Sequence, residues 1–262
     1  MKAKLKQIFT GGGYNRLKKF GLRLLSLPFS HNLTKLAKIY SCDKYGKHFY
    51  TKAYQAHFRK FRYRRIKLFE IGVGGYHFPY MGGNSLRMWK SYFPLGRIYS
   101  LDIYDKSFVQ EYRIKIFQGS QTDKQVLDNI IHSMGKPEII IDDGSHINSH
   151  VIETFLYLFP ILKEGGIYVI EDTQTSYWPD YGGDSENLNN QETTMNFFKR
   201  LVDGINHEEY LLNNYNPTYF DQHIVSIHFY HNLIFVYKGN NREGSSADFR
   251  DPQSVLKDPI FV

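Results

Sequence analysis

Cysteine is nearly absent from this chain of 262 residues, and a long apolar run is absent altogether. The single cysteine, Cys42, excludes an intramolecular disulfide and any cysteine-based zinc site, and it fits a reducing compartment. No apolar run approaches the roughly 20 residues that a membrane span needs. The short run at 22–29 is interrupted by Arg23 and Pro28, unlike a signal peptide. The sequence therefore predicts a cytoplasmic protein.

Acidic residues are scarce in the first quarter of the chain. Residues 1–69 contain 18 Lys/Arg and a single acid, Asp43, so that they sum to +17, whereas residues 70–262 sum to −10. Such a basic front indicates an anionic partner, which could be nucleic acid, anionic lipid or a phosphate-bearing substrate. A solvated basic face without any dedicated partner explains the same composition equally well.

The basic front also contains an amphipathic pattern. Leu17, Phe20 and Leu24 stand at helical spacing and predict a short basic helix over 14–27, after a flexible glycine-rich break at 11–13. A helix of this kind suits a membrane surface or a partner subunit. Packing against the core of its own chain is the other interpretation.

From residue 66 onward, short apolar runs alternate with helical patterns. The predicted strands are 67–73, 97–103, 112–118, 137–142, 166–171, 223–230 and 233–238. The predicted helices are 31–40, 50–63, 84–92, 123–134, 148–162 and 192–205, with a loop over 173–190. This alternation predicts an α/β fold with a doubly wound, mostly parallel sheet, and the two-residue turn between the last two runs makes them an antiparallel hairpin.

This pattern is that of the seven-stranded, Rossmann-like methyltransferase fold, here with added N-terminal helices. The predicted division of the chain is a basic helical extension at 1–64, an α/β domain at 65–240 and a loosely held polar tail at 241–262.

Two of the apolar runs end in a pair of acids. The first ends in Asp142 and Asp143, with His146 three residues later, and the second ends in Glu171 and Asp172. Since neighbouring parallel strands end at the same edge of a sheet, we expect up to four carboxylates and one imidazole there. Carboxylates at that density repel one another unless a hard cation lies between them.

A second set of residues at strand ends and turns suits an adenosyl ligand: Glu70, Gly72, Gly74, Asp102, Gln118 and Ser120. Its glycines let the backbone approach a ligand closely. The first acid can accept a hydrogen bond from an ammonium group, and the second can hold a ribose diol. NAD would fit part of this set, but a dinucleotide fingerprint needs glycine where His77 stands and a shorter loop before the helix.

Four stretches carry a resemblance to a known family: EIGVGGY at 70–76, GGNSLRMW at 82–89, IDDGSH at 141–146 and EDTQTS at 171–176. Together they resemble the metal-dependent sugar O-methyltransferases of macrolide biosynthesis, the macrocin and mycinamicin O-methyltransferase family. The resemblance covers roughly residues 43–240 and does not include the large N-terminal domain of the mycinamicin enzyme. The turn at 43–50 differs from the family pattern in residue order, so that roles for Lys47, His48 and Tyr54 stay open.

The resemblance implies S-adenosyl-L-methionine and Mg²⁺ as cofactors and a homo-oligomer as the assembly. It implies that Asp143, Glu171 and Asp172 bind the metal and that His146 is the general base. The implied cofactor-binding residues are Glu70, Gly72, Gly74, Ser85, Asp102, Gln118, Ser120 and Asp142, although a plain hydrogen-bonding role at the strand end suits Asp142 as well. Trp178 and Tyr181 would line a sugar site or simply pack within their loop.

The predicted function is methylation of a sugar hydroxyl on a natural product, a nucleotide sugar or a surface glycan. The basic N-terminal region favours a phosphate-bearing acceptor or an enzyme peripheral to an anionic membrane. The alternatives are a nucleic-acid-binding or RNA-modifying protein, since basic and aromatic residues interleave at 54–63, and an NAD-dependent sugar oxidoreductase. A zinc site at His146 and His150, four residues apart, is a further alternative.

Overall fold

The structure, a computed structural model, describes residues 11–245, without the side chains of residues 11–16, 18 and 19. Its helices are α1 (Gly11–Ser26), α2 (Leu33–Tyr40), α3 (Thr51–Phe58), α4 (Asn84–Tyr92), α5 (Lys124–Met134), α6 (Asn148–Leu158), α7 (Thr194–Ile205) and α8 (Tyr219–His223). Its strands are β1 (Lys67–Ile71), β2 (Arg97–Asp102), β3 (Ile114–Gln118), β4 (Ile139–Asp142), β5 (Ile167–Glu171), β6 (Ile224–Tyr230) and β7 (Leu233–Lys238).

The seven strands form one sheet in the order β3-β2-β1-β4-β5-β7-β6. Strands β1 to β5 are parallel, and β7 is antiparallel to both of its neighbours, β5 and β6. The predicted fold class, including the antiparallel C-terminal hairpin, is therefore confirmed. The order in which strands are added reverses at β1, because β2 and β3 lie on one side of it and β4 and β5 on the other. A crevice therefore opens at the carboxyl ends of β1 and β4.

Helices cover both faces of the sheet. Alternate strand residues such as Leu68, Ile139 and Val169 pack under α2, α3 and α4, and the residues between them, such as Phe69 and Ile140, pack under α5, α6 and α7. The central strands are apolar on both sides because both sides are covered. Each face therefore has its own hydrophobic core, and a polar residue in a central strand is buried whichever way it points.

The N-terminal helices belong to the first of these cores. Leu36 of α2 and Tyr54 and Phe58 of α3 are fully buried against the sheet side chains. This packing brings residues 41–50, the turn between α2 and α3, to the carboxyl edge of the sheet.

Most predicted elements agree with the structure to within a few residues, and the differences have local causes. Several strands are shorter at their ends, and the predicted helices at 50–63 and 148–162 each end in a 3-10 turn. The short α8 was not predicted; its capping box, Thr218 with Asp221, is a local signal for a helix start. The 173–190 loop contains two short 3-10 turns.

The predicted break at residues 11–13 is wrong, because these glycines form the first turn of α1. Glycine costs about 1 kcal/mol in a helix interior, and the first turn has few intrahelical hydrogen bonds to lose. The C-terminal half of α1 is anchored, since Leu22 packs on the core and Ser26 accepts a hydrogen bond from the hydroxyl of Tyr40. The predicted basic segment at 1–10 and most of the predicted tail, residues 246–262, lie outside the described residues.

Within residues 11–245, no helix is both long enough and apolar enough to cross a membrane.

The loop after β1 lies directly against the loop after β4. Gly72 has φ +95°, and a Cβ atom there would stand 2.1 Å from the carbonyl oxygen of Asp143. The Asp143 amide in turn donates to the carbonyl of Ile71. Glycine at 72 thus fixes the distance between the two loops at the carboxyl edge of the sheet.

Gly72→Ala is expected to lower the free energy of unfolding by at least about 3 kcal/mol, because it adds a backbone clash to the cost of a left-handed residue. Gly74→Ala is the matched control. Gly74 also has a positive φ, +74°, but a Cβ atom there would meet nothing within 4 Å, so that only about 1 kcal/mol is expected. Urea denaturation of both variants checks this, and equal losses would contradict the close approach.

Candidate active site

The four acids at the ends of β4 and β5 do not all lie together. Successive strand residues point to opposite faces of a sheet, and Asp142 therefore points to the α5–α7 side while Asp143 begins the loop. The fourth carboxylate of the cluster is instead Glu70 of β1, whose side chain lies on the same face as that of Glu171. The expectation of two complete acid pairs at one place is thus corrected: Glu70, Asp143, Glu171 and Asp172 share the site.

A lysine ammonium lies inside this cluster. Lys44, in the turn between α2 and α3, is 1% exposed, and its Nζ lies 2.5 Å from Glu171 Oε1, 2.8 Å from Asp143 Oδ2 and 3.2 Å from Glu70 Oε1. Burial alone would lower the pKa of Lys44, but the three carboxylates raise it well above its ordinary value. Lys44 is therefore an ammonium in the folded protein.

The carboxylates of the cluster respond differently to burial. Burial, with the neighbouring Asp143 charge, holds the pKa of Glu171 well above its usual range even though Lys44 opposes the effect. Burial also raises the pKa of Glu70 to about 7, again against Lys44. Burial acts in the same direction on Asp172, but the Tyr50 hydroxyl and two histidines outweigh it and lower the pKa of that carboxyl.

His146 and Asp172 form the outer part of the site. His146 Nε2 lies 3.8 Å from Asp172 Oδ2 and 3.9 Å from Asp143 Oδ1. On its other side, Asp172 accepts a hydrogen bond of 2.6 Å from the Tyr50 hydroxyl, and His48 Nδ1 lies 3.4 Å from the same oxygen, Oδ1. Oδ1 of Asp172 is thus held by the turn between α2 and α3, and Oδ2 faces the imidazole of His146.

The same division holds for the other two predicted metal ligands. Asp143 gives Oδ2 to Lys44 and turns Oδ1 towards His146. Glu171 gives Oε1 to Lys44 and to the Tyr54 hydroxyl, and among the described residues its Oε2 has no hydrogen-bonding partner. Each carboxylate therefore has one oxygen oriented by a protein donor and one left for a further cation.

This donor set fits a hard divalent ion. Four carboxyl groups face one ammonium, and oxygen ligands with room for others are what Mg²⁺ prefers. There are two groups in which all ligand atoms lie within 4.8 Å of one another. One consists of Asp143, His146 and Asp172, which are half-buried, and the other consists of Glu70, Asp143 and Glu171. His150 belongs to neither group, and its Nδ1 lies 3.1 Å from the hydroxyl of Ser145.

Two residues of the site have strained backbones. His146 has φ +58° and Asp172 has φ +55°, in the left-handed region that side chains other than glycine rarely adopt. Such conformations persist only where the surroundings impose them, and they concentrate at functional sites. Here they turn both side chains back over the sheet edge, towards each other.

Asp142 has its own partners on the opposite face. Both its oxygens accept hydrogen bonds from the Gln121 amide, at 3.2 and 3.4 Å, and one also accepts from the Tyr168 hydroxyl. Burial raises the pKa of Asp142 to about 7. Gln121 accepts from the Ser145 amide as well, so that this network supports the loop that carries Asp143 and His146.

The predicted cofactor residues fall into two groups. Asp102 lies at the end of β2, accepts from the Val73 amide at 2.9 Å and pairs in the sheet with Gln118, which precedes the Ser120 turn. These residues surround the open glycine loop. Glu70 is more deeply placed: the ammonium it faces is that of Lys44, and it also accepts from the Trp89 indole at 2.9 Å. Ser85 stands beside it at the start of α4.

Trp178 and Tyr181 lie together in the 3-10 turns after β5, with ring centres 5.9 Å apart. Asn148, at the start of α6, holds this segment through its side chain. Its Nδ2 donates to the backbone carbonyls of Thr175 and Tyr181, and its Oδ1 accepts from the backbone amide of Thr194. The segment is therefore fixed beside the site by a buried amide, with Trp178 half exposed.

Several contacting residues were not predicted from the sequence. Lys44 and Tyr50 stand in a turn crowded with basic and aromatic residues, and no local pattern marks them. Of the residues whose roles were left open, His48 and Tyr54 contact the acid cluster, whereas Lys47 is exposed. Gln121 and Asn148 would have needed the loop contacts to be known first.

No protein-family model matches the chain. It is 48% identical over 230 residues to the mycinamicin VI 2''-O-methyltransferase of Micromonospora griseorubida, covering 86% of this chain and 58% of the relative. It is 46% identical to the demethylmacrocin O-methyltransferase of Streptomyces fradiae, covering 81% and 54%. It is 45% identical to the 8-demethyl-8-alpha-L-rhamnosyl tetracenomycin-C 2'-O-methyltransferase of Streptomyces olivaceus, covering 84% and 58%.

A solved structure gives the same relationship. The MycE methyltransferase of the mycinamycin pathway, in complex with Mg and SAH, superposes with a TM-score of 0.82 at 47% identity, covering 86% of this chain and 59% of that one. A complex of MycE that also contains mycinamycin VI gives a TM-score of 0.80. The chain thus spans between half and three fifths of the length of these relatives. Over the region that it shares with them, the chain belongs to the family of the mycinamicin and macrocin O-methyltransferases.

Proposed function

We propose that this chain transfers a methyl group from S-adenosyl-L-methionine to a sugar hydroxyl with the help of Mg²⁺. The observation that carries the proposal is the arrangement of Asp143, Glu171, Asp172 and His146 beside an open glycine loop, at the carboxyl edge of the sheet. The relatives of the chain are sugar O-methyltransferases. The related MycE structure contains Mg and SAH, the form of the cofactor that remains after methyl transfer.

Asp143, Glu171 and Asp172 are the residues that would hold the metal, each through the oxygen not bound by a protein donor. When bound there, Mg²⁺ supplies a Lewis acid that lowers the pKa of an acceptor hydroxyl. Lys44, Tyr50 and Tyr54 donate hydrogen bonds that orient these carboxylates. Residues that hydrogen-bond to metal ligands in this way strongly affect the affinity of a site for its metal.

His146 is assigned as the general base. Its Nε2 lies just under 4 Å from two of the proposed ligand carboxylates, so that a hydroxyl placed among those oxygens would come within reach of the imidazole. A base at that position accepts the hydroxyl proton as the oxygen attacks the methyl group. The remaining contribution is positioning, since two bound reactants are held in line.

The cofactor is assigned to the glycine loop after β1 and the ends of β2 and β3. Gly74 is open on its Cβ side, and Asp102 is half-buried at the mouth of the loop, in a position to meet a ribose. Gln118, Ser120 and Ser85 complete the proposed set. Glu70 and Asp142 are both buried, and they are proposed to act on the cofactor indirectly, by supporting the loops that contact it.

The acceptor is proposed to carry a sugar such as rhamnose, which the name of the tetracenomycin relative contains. Trp178 and Tyr181 are proposed to face the sugar. A homo-oligomer stays a prediction. The alternative functions, an RNA-modifying protein and an NAD-dependent oxidoreductase, have no support among these relatives.

We infer, in addition, that α1 lies on an anionic membrane surface. Leu17, Phe20, Leu24 and Leu25 are each at least half exposed, while Leu22 faces the core. An exposed apolar face on a helix needs a partner. The first 42 residues contain no acid, so that a second copy of this surface would bring like charge against like.

Anionic lipid satisfies both properties of this surface. The apolar side chains would enter the interface between headgroups and acyl chains, and the basic residues would meet anionic headgroups. RNA would match the charge but would leave the leucines exposed.

Asp143→Asn is expected to weaken Mg²⁺ binding about 100-fold or more and to abolish methyl transfer, because it removes a charged ligand shared by both ligand groups. Calorimetry with Mg²⁺ and methyl transfer to mycinamicin VI or demethylmacrocin measure the two effects. Asp203→Asn, at an exposed aspartate of α7, is the control. Unchanged Mg²⁺ affinity in the Asp143 variant would remove this residue from the metal set.

His146→Gln is expected to lower kcat by about 100- to 10,000-fold while leaving Mg²⁺ affinity within about threefold, because a general base is lost and no ligand is. His150→Gln, which alters the neighbouring imidazole, should change neither kcat nor Mg²⁺ affinity. Loss of Mg²⁺ binding in the His146 variant would instead identify this histidine as a ligand.

The full chain is expected to float with phosphatidylglycerol vesicles and not with phosphatidylcholine vesicles. Replacing Leu17, Phe20 and Leu24 by Ser should weaken that binding at least about tenfold, because three apolar side chains leave the interface. Replacing Leu188, Leu211 and Leu212, which are equally exposed elsewhere, should not. Absence of flotation with anionic vesicles, or conversion of a dimer to a monomer by the first triple variant, would refute the membrane assignment.

A further inference from the structure

The inner group of carboxylates has the size of a metal site of its own. Ligand atoms of Glu70, Asp143 and Glu171 lie within 4.8 Å of one another, and Glu70 and Glu171 are almost fully buried. Three carboxyl groups at that spacing, in a water-poor interior, either take up protons or hold a cation between them. Among the described residues, Lys44 is the only lysine or arginine that forms an ion pair with any of the three.

Lys44 is placed there by the fold and not by chance contact. Its backbone carbonyl accepts a hydrogen bond from the Tyr50 amide, which closes the turn between α2 and α3. Its side chain passes into the core and binds Asp143 and Glu171, which lie 99 and 127 residues further along the chain. With 1% of its side chain exposed, the ammonium has no room to leave without unpacking this turn. The inner group is therefore permanently occupied by a protein cation.

We propose that Lys44 is a built-in cation that takes the place of a second metal ion and so restricts the site to a single divalent ion, held on the outer side. Lys44 binds Asp143 Oδ2 and Glu171 Oε1, and this leaves Asp143 Oδ1 and Glu171 Oε2 for that ion. It acts through the ligands and touches neither substrate nor cofactor; it is a positioning residue. The inference rests on the proposed function in one respect, that the outer oxygens bind a divalent ion.

The role has a direct consequence for metal stoichiometry. The Lys44 ammonium contributes one positive charge and hydrogen bonds to Asp143 and Glu171, whereas a second divalent ion would contribute two charges and accept exchangeable ligands. Removing the ammonium leaves the inner carboxylates uncompensated. They can then lose their excess charge by taking up protons or by taking a metal ion from solution, and Mn²⁺ at neutral pH competes with the protons.

Lys44→Met tests the proposal, with Mn²⁺ as the probe, through calorimetry and electron paramagnetic resonance on the full chain. The wild-type protein is expected to bind one Mn²⁺ and the variant two. Without metal, the Tm of the variant should fall by about 10 °C, because buried carboxylates lose their partner, and Mn²⁺ should restore most of the loss. Lys238→Met is the matched control, since Lys238 is 4% exposed and donates to the carbonyls of Pro160 and Leu162, with no carboxylate at hydrogen-bonding distance.

A charge-compensated variant keeps the test decisive if Lys44→Met folds poorly. Lys44→Met combined with Glu70→Gln restores the net charge of the inner group, so that its metal-free Tm should exceed that of Lys44→Met and it should bind one Mn²⁺. Lys44→Arg, which keeps the charge, should also bind one.

The outcomes separate the two proposals. A wild-type protein that binds no Mn²⁺ would contradict the proposed metal-dependent function. A single Mn²⁺ in both wild type and Lys44→Met, a Tm loss no larger than that of Lys238→Met, or a double variant no more stable than Lys44→Met would overturn the role of Lys44 alone.

Discussion

The structure depends on a balance of charge at the carboxyl edge of its sheet. Four carboxylates from β1, the β4 loop and the end of β5 converge there, and Lys44 is the cation that the chain itself supplies. Burial makes this arrangement sensitive, because an unpaired charge in a protein interior costs several kcal/mol. The turn between α2 and α3 has to meet the sheet edge for the acids to be tolerated. The turn at 41–50 and the acidic sheet edge thus form one site.

The backbone determines which acids take part. Glu70 and Glu171 reach the same place because their strands present them on the same face, and Asp142 is excluded because its strand presents it on the other. Asp143 and Asp172 come one residue later, where the chain leaves the sheet, and a left-handed residue at 172 turns the second of these back. The close approach of Gly72 to Asp143 holds the glycine loop against the same edge.

Much of this could be predicted from the sequence, and the limits are physical. Apolar runs that end in acids indicate strand ends, so that Asp143, His146, Glu171 and Asp172 were expected at one sheet edge; the structure brings Asp143, His146 and Asp172 into one group of ligand atoms and places Glu171 in a second group with Glu70 and Asp143. Whether Asp142 or Asp143 joins the set depends on where the strand ends, and a shift of one residue reverses the answer. The assignment of Glu70 to the ammonium of an adenosyl cofactor stays a prediction, and in the structure Glu70 faces the Lys44 ammonium. Lys44 was missed because its partners lie 99 and 127 residues away, and no local periodicity records such a contact.

The position of β7 has a consequence for synthesis on the ribosome. This strand lies between β5 and β6, pairs Leu233 with Glu171, and its turn accepts a hydrogen bond from the amide of Thr173 through Asn232. Until the ribosome has released that last hairpin, β5 is an open edge and the residues after it have no anchor. A nascent chain therefore exposes Glu171 and Asp172 before the hairpin that holds the end of β5 has been made. The end of β5, and with it the acid cluster, is thus fixed only after β7 has been added to the sheet.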